Sequence, residues 1–575
     1  MPSFVLFAIA ATVAAGWSGD FTERYRLALE RVLQGGPPRY TVEFVAADAV
    51  PRHVRRFTEF SGDVSGRYLE ALAVSARERP DLQPAVNAVA DAVIPHQQPD
   101  GHFGEAFSEG RITQKHMAML WGNGRLLVGL VEAHRLTRRA DLLEAARRLG
   151  GFFLAVAPRL NDDGVRREYS GTQVAVGYIC WTQVIEGLVA LHEETRDARY
   201  LELGRAIAAH TGRHPAQHSH GYLTSLRGIL QLHRATGDPA LLAQVEREWD
   251  ELMASGNVFV HGAVPEAFKP IAKRDEGCSE ADWLRLNLAL WRATGKAKYL
   301  EQAELTLFNE FAFNQFGSGD FGHRELTDEG VAAWGARAWW CCTFHGLRAF
   351  PDLFAAAFRE DAQGLHYDLA IPGRGQAGGL TVSAKSSLGQ DGSVALGVDE
   401  APGSPVLLSI RVPAWAERVD VTLNGRPLDG RSGDGSWQAV RAWARGDRLV
   451  VRYALRTRTV EDPGDRSRLA IFHGPWMLGV DAHASPAFFD EPFQLNRVEL
   501  AEGSARGEVR LQAAARRPAA PGAFTAPAAH FDLRYLPGGY PVQPQVALLR
   551  PIADQTSLPD ATAWVFWFKK AGGEK

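Results

Sequence analysis

From about residue 64 to 360 the apolar positions recur at helical spacing, and they do so in a repeated phrase. The segments "TRRADLLEAARRL", "TRDARYLELGRAI", "TGDPALLAQVERE" and "TGKAKYLEQAELT" begin at Thr137, Thr195, Thr236 and Thr294, at intervals of 58, 41 and 58 residues. Each is a threonine-centred turn followed by a helix with Leu, or Tyr and Leu, on its apolar face. Before each turn lies another apolar helix: "GNGRLLVGLVEAHRL", "WTQVIEGLVALHEE", "SLRGILQLHRA" and "LRLNLALWRA". Repeating helix pairs of this length predict a solenoid or a closed toroid of hairpins, because one pair alone cannot bury its apolar face. The connections between pairs are long and varied: "HQQPDGHFGEAFSEGR", "HPAQHSHGY" and "VHGAVPEAFKPIAKRDEGC". An open binding solenoid usually has short, repetitive connectors. Loops rich in His, Gly and acidic residues suit the rim of an (α/α)6 barrel, where loops carry the site.

After about residue 363 the period falls to two. "GLTVSAKSS", "PVLLSIRVP", "RVDVTLNGRPL" and "DRLVVRYAL" are short alternating or β-branched runs separated by Gly, Pro, Asn-Gly and Asp-Gly turns. They predict an antiparallel β-sandwich. "RLAIFHGPWMLGVDA" opens a further β segment, and the Ala/Pro-rich stretch 513–530 reads as a surface loop. The expected organisation is multidomain. A leader occupies 1–15 and an N-terminal segment 16–63; the helical barrel covers 64–362, the β-sandwich 363–460, and a second β-rich domain 461–575.

Composition narrows the function. A chain of 575 residues exceeds one typical core. Its net charge of −4 supplies no basic surplus for nucleic-acid phosphates. Aromatic residues reach 10%, with 15 tryptophans, which suits a protein that stacks rings on sugars. Phe4 to Ala15 is a short apolar run ending in Val13-Ala14-Ala15, a small-residue cleavage pattern, and it is too short to span a bilayer. Export to the periplasm or the exterior is therefore expected. No other apolar stretch approaches the length of a membrane span.

Two of the four cysteines stand side by side in "WWCCTFHG". Adjacent cysteines are poor disulfide partners, because disulfide geometry is demanding. Sixty-three positions before Cys341 lies Cys278, in "RDEGCSEADW", with Glu276 two residues earlier. Three thiols and a carboxylate match a four-ligand zinc set. The competing reading is three unrelated core cysteines. Cys180, within "VGYICWTQVIEGL", reads as inert core.

Helical pairs, then Glu-x-Cys, then a vicinal Cys-Cys before a sandwich containing "RVPAWAERVDVTLNG" and "ARGDRLVVRY": over residues 64 to about 480 this order resembles glycoside hydrolase family 127, the β-L-arabinofuranosidase family. The resemblance implies a zinc ion (Zn2+) held by Glu276, Cys278, Cys341 and Cys342. It implies Cys341 as the nucleophile that forms a thioglycosyl intermediate, and Glu266, in "VPEAFKP", as acid/base. Coordination or a nearby positive charge lowers a thiol pKa, and apolar neighbours such as Val264 and Phe268 would raise that of a glutamic acid. His218 and His220 match a family segment whose histidine contacts sugar hydroxyls. At the expected barrel mouth Trp121 would stack on a sugar face, His102 and His116 would bond hydroxyls, and His323 would cover the pocket. Two features depart from the family. Only ten positions separate Glu266 from Glu276, and Thr343-Phe344-His345 stands where many relatives have a Pro-Pro-Asn-like sequence.

The expected activity is that of a retaining exo-glycosidase on side chains or small oligosaccharides from plant or algal polysaccharide. Alternatives are the same scaffold for another sugar such as anhydrogalactose, a polysaccharide lyase, and a non-catalytic carbohydrate-binding protein with structural zinc. A lyase leaves the three-cysteine, one-glutamate set unexplained. A structural zinc has no use for Glu266.

Overall fold

The computed structural model describes residues 20–36, 39–51, 59–108, 110–170, 175–269, 274–325, 331–461, 468–481, 499–500, 511–513, 529–536, 545–553, 564–565 and 568–569. The leader at 1–15 and most of the Ala/Pro-rich stretch lie outside the described residues. The chain divides into two compact units, one containing 24–353 and 455–575 and the other containing 354–454.

Among the described residues the helical part contains twelve longer helices: α1 (Asp20–Gln34), α2 (Asp63–Ser75), α3 (Gln83–Val93), α4 (Gln114–Thr137), α5 (Ala140–Leu160), α6 (Ile185–Thr195), α7 (Ala198–Ala208), α8 (Ser219–Thr236), α9 (Pro239–Ala254), α10 (Gly277–Thr294), α11 (Ala297–Leu305) and α12 (Trp340–Ala355). The even-numbered helices form an inner ring. Neighbours pack in the order α2, α4, α6, α8, α10. Helix α12 closes the circle: Arg285 of α10 bonds Asp352 at 2.8 Å, and Phe344 meets the Tyr68 ring of α2 at 5.6 Å. Every residue of α2 is buried, as expected of a helix surrounded on all sides, whereas α5 and α7 bury one stripe. Helices α2 and α4 approach so closely that a Cβ on Gly66 would lie 2.4 Å from the backbone of Arg125. Helix α1, ahead of the segment in which the repeated phrase occurs, lies against α12 through Tyr25 and Phe350, 5.6 Å apart.

The repeated phrase is a helix-ending device. Thr137, Thr195, Thr236 and Thr294 each return a hydroxyl bond of 2.7–2.8 Å to the carbonyl four residues back. The next residue turns left-handed, at φ 58° for Arg138, 61° for Arg196, 70° for Gly237 and 66° for Gly295. In three of the four, a histidine three residues before the threonine (His134, His192, His233) bonds through Nδ1 to the carbonyl five residues ahead, at 2.8–2.9 Å. The N–H of each left-handed residue takes the carbonyl four residues back (His134, His192, His233 and Trp291) at 2.7 Å, satisfying one that the helix end would otherwise leave unpaired.

Three rim strands, β1 (Arg274–Glu276), β2 (Gly322–Glu325) and β3 (Val331–Ala338), pair antiparallel and continue into a sheet with C-terminal strands. Phe313 and Val260 pack with Phe472, Met477 and Ile552 beneath that sheet.

The smaller unit is a β-sandwich. β4 (Phe358–Glu360), β5 (Gly364–Tyr367), β6 (Gly373–Ala377), β7 (Leu380–Ser387), β8 (Ser393–Glu400), β9 (Pro405–Arg411), β10 (Ala416–Leu423), β11 (Arg426–Pro427), β12 (Arg431–Gly433), β13 (Ser436–Ala442) and β14 (Arg448–Leu455) form two sheets. Their orders are β11-β10-β14-β8-β7-β6 and β12-β13-β9-β5-β4. The β5–β9 pair is parallel, whereas β11–β10, β14–β8, β8–β7, β7–β6, β12–β13, β13–β9 and β5–β4 are antiparallel. The Asn424-Gly425 and Asp434-Gly435 turns take the positive φ values that tight hairpins require. Among the described residues no helix is long and apolar enough to cross a membrane.

Candidate active site

Two neighbouring inner helices start beside one another and bring the cysteines together. Cys278 lies in the first turn of α10, Cys341 and Cys342 lie in the first turn of α12, and Glu276 ends β1 as the residue before α10. One donor atom from each of the four falls within 4.8 Å of the others, and all four residues are buried. The sulfur of Cys342 is 3.6 Å from that of Cys278 and 3.9 Å from that of Cys341, and all three thiols are free. Gly277 is required by this approach. A Cβ there would meet Asn314 Oδ1 at 2.6 Å and the Cβ of Cys342 at 3.1 Å.

The β1–β2 register sets Glu276 opposite His323, whose Nε2 lies 3.7 Å from the carboxylate. His218 Nε2 lies 3.5 Å from its other oxygen, and Ser279 donates to that oxygen at 3.2 Å. Burial pushes the Glu276 carboxyl up, but the two histidines outweigh it and hold the group well below its ordinary range. Glu266 stands on the facing segment, fixed by backbone bonds from its N–H to the Arg274 carbonyl (3.0 Å) and from the Ser219 N–H to its own carbonyl (2.9 Å). Its carboxylate receives both forks of Arg274 and is 19% exposed. Atoms of Glu266, His218 and Glu276 all lie within 4.8 Å of one another. A solvent-reachable carboxylate therefore adjoins the buried thiol cluster.

Beneath the thiols runs a polar network that the apolar pattern did not announce. Arg67 of α2, buried in the barrel, donates from Nε to Asp63 at 2.7 Å and reaches Cys278 Sγ at 3.7 Å, His345 Nδ1 at 3.1 Å and His220 Nε2 at 2.8 Å. Asp282 accepts from His220, from His345 (2.8 Å), from Thr224 (2.8 Å) and from Arg227 (2.5 Å). Burial pushes the Cys341 thiol up, but hydrogen bonds from Cys278 and Cys342 and the Arg67 charge hold it well below its ordinary value. Cys278 and Cys342 are pushed well above theirs, by burial and by the neighbouring thiols.

Of the residues singled out from sequence, His218, His220, His323 and Trp121 join this cluster. Trp121 is 4% exposed; its ring lies 5.3 Å from both His218 and His220, and its Nε1 donates to Asp63. His102 and His116 do not join it. His102 uses Nδ1 on Asp100 and Nε2 on the Glu105 carbonyl, and His116 caps α4 through Thr113 while its Nε2 meets Ser108 at 3.1 Å. Cys180 is buried, and burial raises its thiol pKa far above the ordinary value. Sequence reasoning missed Asp63, Arg67, Asp282, Arg274 and His345. One signal was available: Asp63, Arg67 and Glu70 recur at helical spacing inside a helix otherwise apolar enough to be core.

The family model for the glycoside hydrolase family 127 catalytic domain, described as beta-L-arabinofuranosidase, matches residues 38–353. The middle-domain model of the same family matches 371–455. The chain belongs to glycoside hydrolase family 127. It is accordingly a glycoside hydrolase. Its fold is similar to a family 127 beta-L-arabinofuranosidase from Geobacillus stearothermophilus T6, with a TM-score of 0.71, 15% identity, and coverage of 96% of this chain and 99% of that one. A second solved family 127 beta-arabinofuranosidase gives a TM-score of 0.70 at 16% identity, covering 96% of each chain. A third structure, titled simply a glycoside hydrolase, gives 0.68 at 16% identity over 97% of this chain and 96% of that one. No curated protein matches the sequence. At these identities the structural likeness speaks for the fold of this family 127 enzyme, while the model matches carry the membership.

Proposed function

We propose that this enzyme is a retaining exo-glycosidase of β-L-arabinofuranosidase type, with Cys341 as nucleophile, Glu266 as acid/base and Zn2+ at Glu276, Cys278, Cys341 and Cys342. The observation that carries the reading is the placing of an accessible carboxylate, Glu266, against a buried cluster of three thiols and one carboxylate. The donor set fits zinc. With zinc–sulfur bonds of about 2.3 Å, a tetrahedral ion sets its sulfurs about 3.8 Å apart, and the observed separations are 3.6 and 3.9 Å. When bound, the ion keeps its cysteine ligands deprotonated at neutral pH.

The chain's own residues would then divide the work. Cys341 Sγ forms a bond to the anomeric carbon as the bond from that carbon to the leaving oxygen breaks, and Glu266 gives its proton to that oxygen. In the second step Glu266 removes a proton from water, which attacks the same carbon and releases Cys341. Arg274 holds that carboxylate in place through both forks of its guanidinium. His218 and His323 orient Glu276 and stand where sugar hydroxyls would meet them. The substrate is a terminal sugar on plant or algal oligosaccharide or polysaccharide side chains.

Mass spectrometry with a slow or mechanism-based furanoside tests this reading, and a sugar adduct on Cys341 is expected. An adduct on Glu266, or product of inverted anomeric configuration, would overturn it.

A further inference from the structure

Arg67 is the one cation seen to touch the thiol cluster among the described residues, and it comes from an inner helix that supplies none of the cluster's donors. It is 2% exposed. Its fork is nearly exhausted: Nε serves Asp63, Nη1 is shared between His345 and Cys278, and Nη2 serves His220. Because a guanidinium only donates, His345 Nδ1 and His220 Nε2 must be acceptors. The proton of each imidazole then lies on the other nitrogen and is donated to Asp282. Both rings are locked as neutral tautomers between one arginine and one aspartate.

We propose that Arg67 is the positioning residue of the thiol site: it offsets the surplus negative charge of the metal-loaded ligand set and fixes Cys278 and His220 in place. One carboxylate and three thiolates outnumber the two charges of a divalent ion, and the surplus sits in a buried, low-dielectric site where it is costly. Arg67 is the guanidinium that donates to a thiol of that set, and this charge-assisted hydrogen bond to Cys278 offsets part of the surplus. The fork geometry matters separately. A lysine could supply the charge, but its tetrahedral ammonium cannot hold Asp63, both imidazoles and a sulfur in one plane.

This inference rests on the metal reading of the preceding section, so the test separates the two. The purified protein is stripped and reloaded with cobalt(II), whose thiolate-to-metal absorption reports sulfur ligation without any turnover. Wild type showing no such band would sink the metal reading and this proposal together. Given the band, Arg67→Met should weaken cobalt affinity in chelator competition by about 10- to 100-fold, as loss of an outer partner of a metal ligand does. It should also shift the band. Arg67→Lys should recover most of the affinity while KM on an aryl furanoside stays raised, because His220 is no longer held. Since Arg67→Met removes the ion pair of the buried Asp63 carboxylate, the double variant D63N/R67M is measured beside it; the amide that replaces the carboxylate can still accept from Trp121. Affinity within about twofold of wild type and an unchanged band in that folded double variant would reject the proposal, with the metal reading intact.

Discussion

At the scale of single residues, the thiol and the carboxylate beside it have separable roles. Cys341→Ser should lose nearly all turnover, since a hydroxyl is a far weaker nucleophile without an adjacent base; the metal content of the variant must be measured with it. Glu266→Gln should cost about 10²- to 10⁴-fold in turnover of a substrate with a poor leaving group, while the adduct on Cys341 still forms from a substrate with a good one. Retained turnover in either variant would remove that residue from the reaction. The residues after the cysteine pair turned out to face inward: Thr343 bonds Asp320 at 2.9 Å, Phe344 lies between Tyr40 and Tyr68, and His345 joins Arg67 and Asp282. The departure from Pro-Pro-Asn is thus absorbed by packing and by the polar network.

At the scale of elements, each of the four hairpins that carry the repeated threonine has one left-handed residue where its inner helix ends. A Cβ on Gly295 would meet nothing within 4 Å, so Gly295→Ala isolates the backbone cost of φ 66°. It should destabilise the protein by about 1 kcal/mol, read as a lower denaturant midpoint with unchanged metal content. No change would mean that the turn tolerates an L side chain there, as it already does at Arg138 and Arg196. The repeated threonine was legible because it recurs. The histidine three residues earlier recurs in three of the four, but its partner carbonyl becomes visible only when the turn is folded.

At the scale of the whole molecule, the inner ring is closed by charges as well as by apolar contact. Glu70 of α2 takes Arg348 of α12 at 2.9 Å and Arg285 of α10 at 3.4 Å. Burial alone would raise its pKa, but the two arginines pull it down to about 2 from an ordinary 4.5. A carboxylate with a depressed folded-state pKa contributes stability that is present above its unfolded value. That contribution, of order 3 kcal/mol for such a shift, fades as pH falls from about 4.5 through about 2. Denaturation followed from pH 7 to pH 2 should show this acid limb in wild type and a shallower one in Glu70→Gln. Identical limbs would show that Glu70 does not close the ring in this way. Export stands on the leader-like run alone; protein recovered from its host should begin near Gly16 or Trp17, and an intact Met1 would reject it.

What the sequence by itself determined is whatever is written in local order. Period 3.6 and then period 2, the recurring threonine turn, and the Asn-Gly and Asp-Gly hairpins each act between residues a few positions apart, so they specify elements without reference to the rest of the chain. Glu276 and Cys278, and the vicinal Cys341 and Cys342, were legible because each pair sits on a single helix start and family order marks it. The tertiary structure alone decided that these two starts adjoin, and that Arg67 reaches Cys278 across 211 positions of sequence. It also decided that His220 and His345 meet on Asp282, and that His102 and His116 turn their ring nitrogens into their own loops. Helical period states which face of a helix is buried. Which polar group waits on the opposite wall of the ring depends on how six helices close, and no local pattern encodes that.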